Sequence, residues 1–467
     1  MDVRCGEEAS VKYAAGYVAA AGVYLALILV PGRWWPGYYV LCGSIVFAVI
    51  TFFAVRSHVQ ALFALRMGRT ARMRDEELPG VSLIVPCFNE AGVLPETIPA
   101  VLALDYPAEK LEILYVYESA CTDQTEQILR LFARQDPRIK LLCRPTTNGG
   151  KAPITNFGIR RAGHGIIGIL DADHVPAADL VRIAVAQLRD SKVGCVRGRC
   201  RTRNEGQHLL TRLVAMERDI VERLGICGAY RTGGFSNFGG GQGFFRKEIF
   251  EQIGLFDEDV LTEDVDFSVR MHLAGYHVKV LPQMQSWEEA PPSLKAFYDQ
   301  RKRWCRGWIQ TCRKYAVDIV KASHVPAVRR ADMLIALFSS LAPGLLIGLI
   351  PILTLAALGL TTSCYGRSTS LWLWMYVTLT PPSLGWLVWL MDQRDKQPPV
   401  LARLLFLPLL VPYMVGLIFI NWMGFVDEFL LKRPFSYIKT SRAGDAISER
   451  VPVAAIDGAA RIEAIKG

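Results

Sequence analysis

The sequence predicts an α/β domain with a mostly parallel, Rossmann-like sheet, joined to an α-helical transmembrane region. Within residues 79–299, short apolar runs of strand length alternate with helix-length segments of mixed polarity. This alternation is typical of a parallel sheet covered on both faces by helices. Long apolar tracts precede and follow this part of the 467-residue chain, and 51% of all residues are apolar. A purely soluble globule is therefore not expected.

Four apolar runs predict strands, and two segments between them predict helices. The strands are expected at 81–85, 111–117, 139–143 and 165–170, and the helices at 92–104 and 123–135. In open sheets of this kind, ligands bind beyond the carboxyl ends of the strands. The residues that directly follow each run are therefore the candidates for chemistry.

Five further apolar tracts predict membrane spans, at about 14–30, 38–55, 341–360, 371–391 and 404–423. Only a short aromatic turn separates the first two, which favours a transmembrane hairpin over a cleaved signal peptide. The net charge of +9 is concentrated in basic clusters beside apolar tracts, which indicates retention at a membrane and argues against nucleic-acid binding. Five full crossings would leave the basic tail outside, so the last tract is expected not to cross fully.

These features divide the chain into six parts. They are a transmembrane hairpin (1–56), a basic juxtamembrane linker (57–78), the α/β domain (79–299), a segment that begins with QRKRW and continues as amphipathic interface helices (300–340), C-terminal transmembrane helices (341–430) and a tail (431–467). We expect a multi-pass protein of the plasma membrane with a cytoplasmic α/β domain. The 11 cysteines form no CxxC pair, which argues against a zinc site and a disulfide framework.

Two carboxylates directly follow the fourth apolar run, in the sequence DADHVP. If the extended geometry persists, Asp171 and Asp173 point to the same side. There they can hold a divalent cation that bridges to a diphosphate, and Mg²⁺ or Mn²⁺ suits all-oxygen ligands. A solvated turn is the alternative for a DxD sequence taken alone.

Polar residues also follow the other three runs. Pro86, Asn89 and Glu90 lie in VPCFNE, where a helix that begins near residue 91 would direct its amide groups at an anionic donor. Capping of that helix is the alternative. Lys151 lies in NGGK, which is not a Walker A loop. Its ammonium group can neutralise phosphate charge, or it is an exposed turn lysine.

Two motifs nearer the end of the domain predict proton transfer and ligand approach. Glu263 and Asp264 lie in TED at the start of a helical pattern, where a carboxylate can act as general base towards an attacking hydroxyl. A helix cap is the alternative. Gly240 and Gly241 lie in FGGGQGFFRK, where glycines permit a ligand to approach the backbone closely. A flexible hinge is the other interpretation of this stretch.

The stretch QRKRWCRGWIQ, residues 300–310, has a helical spacing that separates two faces. The face that we expect to close an active site carries Gln300, Arg303, Trp304 and Gly307. The other cations fall largely elsewhere, and we expect them to rest on anionic lipid: Lys302, Arg306 and Arg313. On composition alone, an amphipathic interface helix is the simpler interpretation.

The order VPCFNE, DAD, TED and QRKRW, flanked by apolar tracts, closely resembles that of membrane-integrated family 2 glycosyltransferases with a GT-A fold. These include cellulose, hyaluronan, chitin and poly-N-acetylglucosamine synthases. The similarity covers about residues 79–308. It implies an inverting hexosyltransferase in which an acceptor hydroxyl attacks the anomeric carbon of a nucleotide sugar. It also implies processive synthesis of a β-linked polysaccharide that leaves through a channel between the membrane spans.

The resemblance implies roles for individual residues. Asp173, with Asp171, should bind the metal, and Asp264 should be the catalytic base that Glu263 orients. The residues expected at the nucleotide sugar are Pro86, Asn89, Glu90, Glu118, Lys151, Asp171, Gln300 and Arg303. The residues expected at the acceptor sugar are Trp304, Gly240 and Gly241.

One departure from the family concerns the donor. Where the family usually has DDGS, this chain has Glu118 followed by Ser119, which cannot replace the second carboxylate. UDP-glucose or UDP-N-acetylglucosamine is the expected donor, with other nucleotides left open. The expected partners are a growing polysaccharide or a lipid acceptor and the lipid membrane, and an accessory export subunit or a second copy of the chain is compatible with them.

Two other functions fit parts of the sequence. The first is a single-addition transferase that acts on a lipid and makes a glycolipid, since motifs related to QxxRW occur in such enzymes as well. The second is a transporter or scaffold whose cytoplasmic domain has lost activity. The joint presence of Asp173, Asp264 and Trp304 argues against the second, because an inactive domain has no chemical need for all three.

Overall fold

The α/β domain lies between apolar helices from both ends of the chain. The computed structural model describes residues 2–35, 37–65, 73–145, 150–342, 366–395, 397 and 400–434. The predicted span at 341–360, most of the C-terminal tail and part of the juxtamembrane linker lie outside these residues.

Eight strands form the sheet: β1 (Val81–Cys87), β2 (Leu111–Glu118), β3 (Ile139–Arg144), β4 (Ile166–Leu170), β5 (Val175–Pro176), β6 (Val193–Thr202), β7 (Gln242–Arg246) and β8 (His277–Glu288). The helices within and before the domain are α1 (Asp2–Trp34), α2 (Gly37–Ala64), α3 (Leu94–Leu102), α4 (Thr125–Gln135), α5 (Lys151–Ile159), α6 (Leu180–Gln187), α7 (Leu209–Asp219), α8 (Cys227–Arg231), α9 (Lys247–Ile253) and α10 (Glu263–Leu273). The later helices are α11 (Leu294–Lys321), α12 (Ala327–Phe338), α13 (Gly366–Arg394), α14 (Ala402–Phe406) and α15 (Leu410–Phe429). A π-helical segment, Ile220–Ile226, joins α7 to α8.

The strand order is β3-β2-β1-β4-β7-β6-β8-β5, and the sheet is mostly parallel, as the sequence predicted. The pairs β1–β2, β1–β4, β2–β3 and β6–β8 are parallel, whereas β7 runs antiparallel between β4 and β6. The short β5 pairs antiparallel with β8. The carboxyl ends of β1, β2 and β4 therefore share one edge of the sheet, where the site is expected.

The apolar core lies on both faces of the sheet. Alternate residues of β1 enter different clusters: Leu83 and Val85 pack on the face covered by α3, α4 and α6, and Ile84 packs on the face covered by α5, α9 and α10. A strand buried on both faces reads as a continuous apolar run. This is why the central parallel strands could be recognised in the sequence.

The second half of the sheet was missed because its strands carry charge. Strand β6 contains Arg197, Arg199 and Arg201, yet all three are buried. Arg199 forms ion pairs with Asp219 at 2.7 Å and with Asp392 of α13 at 2.6 Å. Buried charges of this kind are tolerated only when they are paired, and sequence periodicity does not reveal such pairs.

Two segments have the length and composition that a membrane crossing requires: Val40–Ala64 and Ala402–Phe429, with mean hydropathies of 2.0 and 2.2. Within the described ranges no other helix meets both conditions, although α1 contains the shorter apolar stretch Tyr13–Leu27. The predicted tract 371–391 lies in α13. The tract 404–423, which the sequence analysis expected not to cross fully, lies within the second of the two suitable segments.

Buried ion pairs join the α/β domain to the C-terminal helices. Besides Arg199, the network includes Arg403 of α14, which pairs with Asp219 and with Glu205, both at 2.6 Å. Asp219 and Asp392 are 2% and 4% exposed. Because each carboxylate would be costly to bury alone, the network fixes α13 and α14 against β6 and α7.

Candidate active site

A cavity of about 250 Å³ opens at the edge of the sheet where β1 and β4 end. It is bordered by the start of α5, the glycine-rich segment before β7, the start of α10 and one face of α11. All but two of the candidate site residues line it: Pro86, Glu90, Lys151, Asp171, Asp173, Gly240, Gly241, Glu263, Asp264, Gln300, Arg303 and Trp304. Motifs far apart in sequence thus converge on one space.

The two remaining candidates, Asn89 and Glu118, are not among the residues that line the cavity. Asn89 has a positive φ of 55°, and its Oδ1 accepts a hydrogen bond from the Thr122 backbone amide at 2.8 Å. Glu118 is fully buried and pairs with Arg144 at 2.5 Å. Burial raises the pKa of Glu118, although Arg144 acts in the opposite direction. Their proposed contacts with the nucleotide sugar remain predictions.

Lys151 ties the DAD segment to the glycine-rich segment. Its Nζ lies 2.5 Å from Asp171 Oδ1 and donates to the carbonyl of Gly240 at 3.0 Å. The backbone amide of Asp171 donates to the Gly241 carbonyl at 2.9 Å. Lys151 is the first residue of α5, so its ammonium group and the helix N-terminus both face the cavity with positive charge.

Gly240 is required where it stands. Its φ of +81° lies in the left-handed region that side-chain residues rarely adopt. A Cβ here would also approach Asp264 Oδ2 to 3.1 Å and Lys151 Nζ to 3.5 Å. The glycine therefore lets the backbone pass close to the proposed base, and the ligand approach expected from the glycine-rich sequence remains a prediction.

Asp171, Asp173 and His174 offer ligand atoms that all lie within 4.8 Å of one another. The two carboxylates fit a divalent cation, since oxygen ligands suit Mg²⁺ or Mn²⁺, whereas both ring nitrogens of His174 already have protein partners. The imidazole of His174 is held by Ser286 at Nδ1 (2.8 Å) and by Glu288 at Nε2 (2.7 Å). The sequence analysis did not assign His174, although it directly follows the DAD motif.

A second cluster of ligand-type atoms, from His174, Cys200 and Glu288, lies beside the first. The guanidinium group of Arg218 reaches into it, since it donates to Cys200 Sγ at 3.2 Å and contacts the Glu288 carboxylate. Because this cation already balances Glu288, the cluster is better described as an ion-paired wall of the cavity than as a metal site.

Asp264 lies in the first turn of α10, partly buried at the cavity wall. Burial, together with the negative charge of Glu263, raises its pKa to about 7, while Lys151 and Arg303 act in the opposite direction. A carboxyl group with a pKa near neutrality can accept a proton and still be ionised at cellular pH, which suits a general base.

Helix α11 presents one face to this site. Of the four residues that the helical spacing placed on this face, Gln300, Arg303 and Trp304 line the cavity and Gly307 does not. The indole ring of Trp304 packs beneath the guanidinium of Arg301, 4.5 Å from the ring centroid, and Arg301 is fixed by Glu217 at 2.5 Å. The sequence analysis did not single out Arg301 or Glu217. The ring is thus held as a flat surface at the cavity wall.

The expectation that the other face of α11 rests on anionic lipid is wrong for Lys302 and Arg306. Lys302 pairs with Asp427 at 3.2 Å, and Arg306 with Glu428 at 3.2 Å, both on α15. These two cations are 14% and 12% exposed in their side chains. Both cations neutralise acids on the apolar helix α15. The charges of α11 considered alone could not reveal these partners.

The comparison with known families agrees with the motifs. Residues 79–307 match the family model described as "Glycosyltransferase like family 2". The α/β domain is therefore similar to the members of this family along its whole length. The chain is 32% identical over 253 residues to the probable glycosyltransferase YdaM of Bacillus subtilis and 28% identical over 254 residues to the poly-β-1,6-N-acetyl-D-glucosamine synthase of Staphylococcus aureus. Each similarity covers 54% of this chain and 60% of the relative, so the chain is matched to little more than half of either protein.

A solved structure with a similar fold is the mannosyltransferase PcManGT of Pyrobaculum calidifontis, in complex with GDP-Man and Mn²⁺. Its TM-score is 0.60 at 21% sequence identity, and the match covers 85% of this chain and 99% of that chain. At this identity the likeness shows the fold, which is of the GT-A type.

Proposed function

We propose that the protein is a processive inverting glycosyltransferase that polymerises a β-linked polysaccharide from a nucleotide-activated hexose and moves it across the membrane. The observation that carries this proposal is the convergence of the DAD carboxylates, Asp264, Arg303 and Trp304 on one cavity. These are the groups that a donor diphosphate, an attacking hydroxyl and an acceptor sugar would each require.

The donor side of the cavity carries the positive charge. Lys151 and the N-terminus of α5 face the DAD segment, where Asp173 and Asp171 would hold a Mg²⁺ or Mn²⁺ ion. Such an ion would neutralise the charge of the diphosphate and so make it a better leaving group. We infer that Glu90 and Pro86, which follow β1 at the same edge, border the bound nucleotide sugar.

The reaction is a single displacement. As the acceptor hydroxyl oxygen attacks the anomeric carbon, Asp264 accepts the hydroxyl proton, and the bond from that carbon to the diphosphate oxygen breaks with its electron pair leaving on the diphosphate. Arg303 lines the same cavity, where its guanidinium group would stabilise the departing negative charge. Attack from the face opposite the leaving group inverts the configuration of the anomeric carbon.

Trp304 is the proposed platform for the acceptor sugar. Its ring is fixed by Arg301, and α11 in turn is paired to α15, one of the two helices suitable for a membrane crossing. A growing chain bound at Trp304 would therefore lie close to the membrane helices.

We propose a multi-pass protein of the plasma membrane with a cytoplasmic catalytic domain and with the six-part division of the chain given above. The named activity of the Staphylococcus aureus relative, a poly-β-1,6-N-acetyl-D-glucosamine synthase, supports a polymeric product.

The test is a donor screen with the full chain purified in detergent and Mn²⁺. Release of the nucleoside diphosphate is measured with UDP-glucose, UDP-N-acetylglucosamine, UDP-glucuronate and GDP-mannose, the last because PcManGT binds GDP-Man. The products are then separated by size. A long polymer made by the wild type but not by Asp264→Asn supports the proposal. Single-sugar glycolipids under donor excess would instead establish the non-processive alternative, and no release with any donor would favour a transporter or scaffold.

A further inference from the structure

Gln242, the first residue of β7, is a buried polar side chain at the wall of the cavity. It is 2% exposed and lines the same space as Asp171 and Asp264. Within the described part of the chain, neither its carboxamide oxygen nor its nitrogen has a hydrogen-bond partner. Both ends of the carboxamide thus lack a described protein hydrogen bond at the wall of the cavity.

A buried carboxamide without hydrogen-bond partners lowers the stability of the fold unless a ligand binds it. A carboxamide offers two donors on nitrogen and two acceptor lone pairs on oxygen, and each buried group left unsatisfied costs on the order of 1–3 kcal/mol. Native structures keep few groups of this kind, and each calls for an explanation. A ligand that completes both ends of the amide would supply one.

The backbone around Gln242 is held rigidly. In the register of the sheet, Gln242 stands opposite Leu170, the last residue of β4, and the preceding carbonyl, that of Gly241, accepts the hydrogen bond from the Asp171 amide. A Cβ on Gly241 would come within 2.5 Å of His174 Nε2, so the segment is packed tightly. Gln242 is therefore fixed next to the proposed binding site of the donor diphosphate.

The chemistry of the neighbouring groups indicates which part of the donor Gln242 meets. The cavity's charged side chains largely satisfy one another, as in Arg301–Glu217, Arg197–Glu222 and Lys151–Asp171. Among the uncharged side chains of the lining, Thr262 at Oγ1 and Gln300 at Oε1 also lack a described partner, but Gln242 lacks one at both ends of its carboxamide. Neutral donors and acceptors suit hydroxyl and acetamido groups rather than phosphate or carboxylate groups.

We propose that Gln242 is a specificity-determining residue that hydrogen-bonds, through both ends of its carboxamide, to the uncharged hexose of the nucleotide sugar. This inference rests on the proposed function and adds to it the class of sugar group that Gln242 recognises: hydroxyl or acetamido groups of the hexose. Gln242 contacts the sugar and leaves the nucleotide to other residues.

The variant Gln242→Met tests the proposal because it keeps the length of the side chain and removes both hydrogen-bonding ends. Affinities of the full-length wild type and the variant are measured by calorimetry for UDP and for UDP-glucose and UDP-N-acetylglucosamine. We expect the variant to bind UDP within twofold of the wild type and the better sugar nucleotide at least about tenfold more weakly. Its melting temperature should not fall, since replacement of unsatisfied polar atoms by apolar ones is neutral or stabilising.

The matched control is Gln285→Met on β8, a buried glutamine outside the cavity lining whose Nε2 is bonded to the Pro282 carbonyl. It should leave the ratio of the two affinities unchanged. Equal losses for UDP and for the sugar nucleotide in Gln242→Met, or no loss for either, would overturn the role of Gln242 while the proposed function stands. If the wild type binds UDP and its affinity is no higher for either UDP-sugar, both the role of Gln242 and the proposed function are wrong.

Discussion

The side chain of Thr262 lies directly against Gly307, so that a Cβ on Gly307 would come within 2.4 Å of Thr262 Oγ1 and Cγ2. Thr262 immediately precedes α10 and the proposed base, and Gly307 lies on α11 one turn beyond Trp304. This contact sets how closely the QxxRW helix approaches the TED motif. Catalytic geometry on both sides of the cavity therefore depends on the absence of one methyl group.

Gly307→Ala should displace α11 from α10 and lower the rate of transfer by about 10- to 100-fold, because small misplacements of catalytic groups are costly. The rate is measured as diphosphate release under donor saturation, alongside the melting temperature. Gly416→Ala on α15 is the control, since a Cβ there meets nothing within 4 Å. A Gly307→Ala variant with wild-type turnover would show that α11 is not positioned by this contact.

The decrease of kcat/KM at low pH should reflect the protonation of the Asp264 carboxyl group. Because burial and Glu263 raise the pKa of Asp264 to about 7, kcat/KM should fall as the pH drops below about 7, where the carboxyl group becomes protonated and cannot accept a proton. Glu263→Gln removes one cause of the raised pKa and should move this decrease to lower pH. A decrease that stays in place in that variant would assign it to another group.

Asp264 should also lower the stability of the fold at neutral and higher pH. Its pKa is higher in the folded state than the ordinary value, so ionisation weakens the fold, and the penalty grows as the pH rises from about 4 to 7. Asp264→Asn cannot ionise and should therefore raise the melting temperature by roughly 2–4 °C at pH 8, and by less at pH 5. Asp318→Asn, at an exposed position on α11, is the control for the removal of one carboxylate and is measured at both pH values.

Removal of the metal should stop transfer, and the loss should depend on Asp173. We expect EDTA to abolish diphosphate release and Mn²⁺ to restore it in the wild type. In Asp173→Asn, the Mn²⁺ concentration for half-maximal activity should rise by at least about tenfold, since a carboxylate ligand is lost. Binding of Mn²⁺ followed by electron paramagnetic resonance measures the same change without turnover. Unaltered Mn²⁺ binding in this variant would contradict the assignment.

The cations of α11 should differ sharply in their effects. Arg303→Lys should lower the rate of transfer by about tenfold or more, because lysine cannot reproduce the planar guanidinium fork. Arg313→Ala should have little effect on either rate or stability, since its side chain is 58% exposed. Lys302→Ala should instead lower the melting temperature, because it removes a cation from Asp427, which is 1% exposed. Rates and melting temperatures of all three variants distinguish these outcomes.

The sequence predicted the parts of the fold whose signal is local. Strands β1 and β4 read as apolar runs because both of their faces are buried, and the start of α10 could be recognised from TED. Strand β6 could not, because the partners that neutralise Arg199 lie on other elements, α7 and α13, and the partner on α13 is 193 residues away. Pairing between distant charges leaves no periodic pattern in one segment.

The features of the candidate site also divide into those with a local sequence signal, which were predicted, and those that depend on contacts between distant segments, which were not. The order of the motifs predicted that Asp173, Asp264 and Trp304 belong to one site, and all three line the cavity. The unsatisfied carboxamide of Gln242 and the fixing of Trp304 by Arg301 were not predicted, because both are properties of packing between segments. The lipid contact expected for Lys302 failed for the same reason, since its partner lies on α15, far along the chain.

The ion-pair network around Arg199 affects which fragments of the chain can fold stably on their own. A fragment trimmed to the family match, residues 79–307, would keep Arg199 and Asp219 but lose Asp392 and Arg403. It would also expose the apolar surface that these helices cover and leave Arg306 facing no acid from α15. We therefore expect this fragment to be less stable than the full chain, and we expect a soluble version to require redesign of that surface instead of truncation.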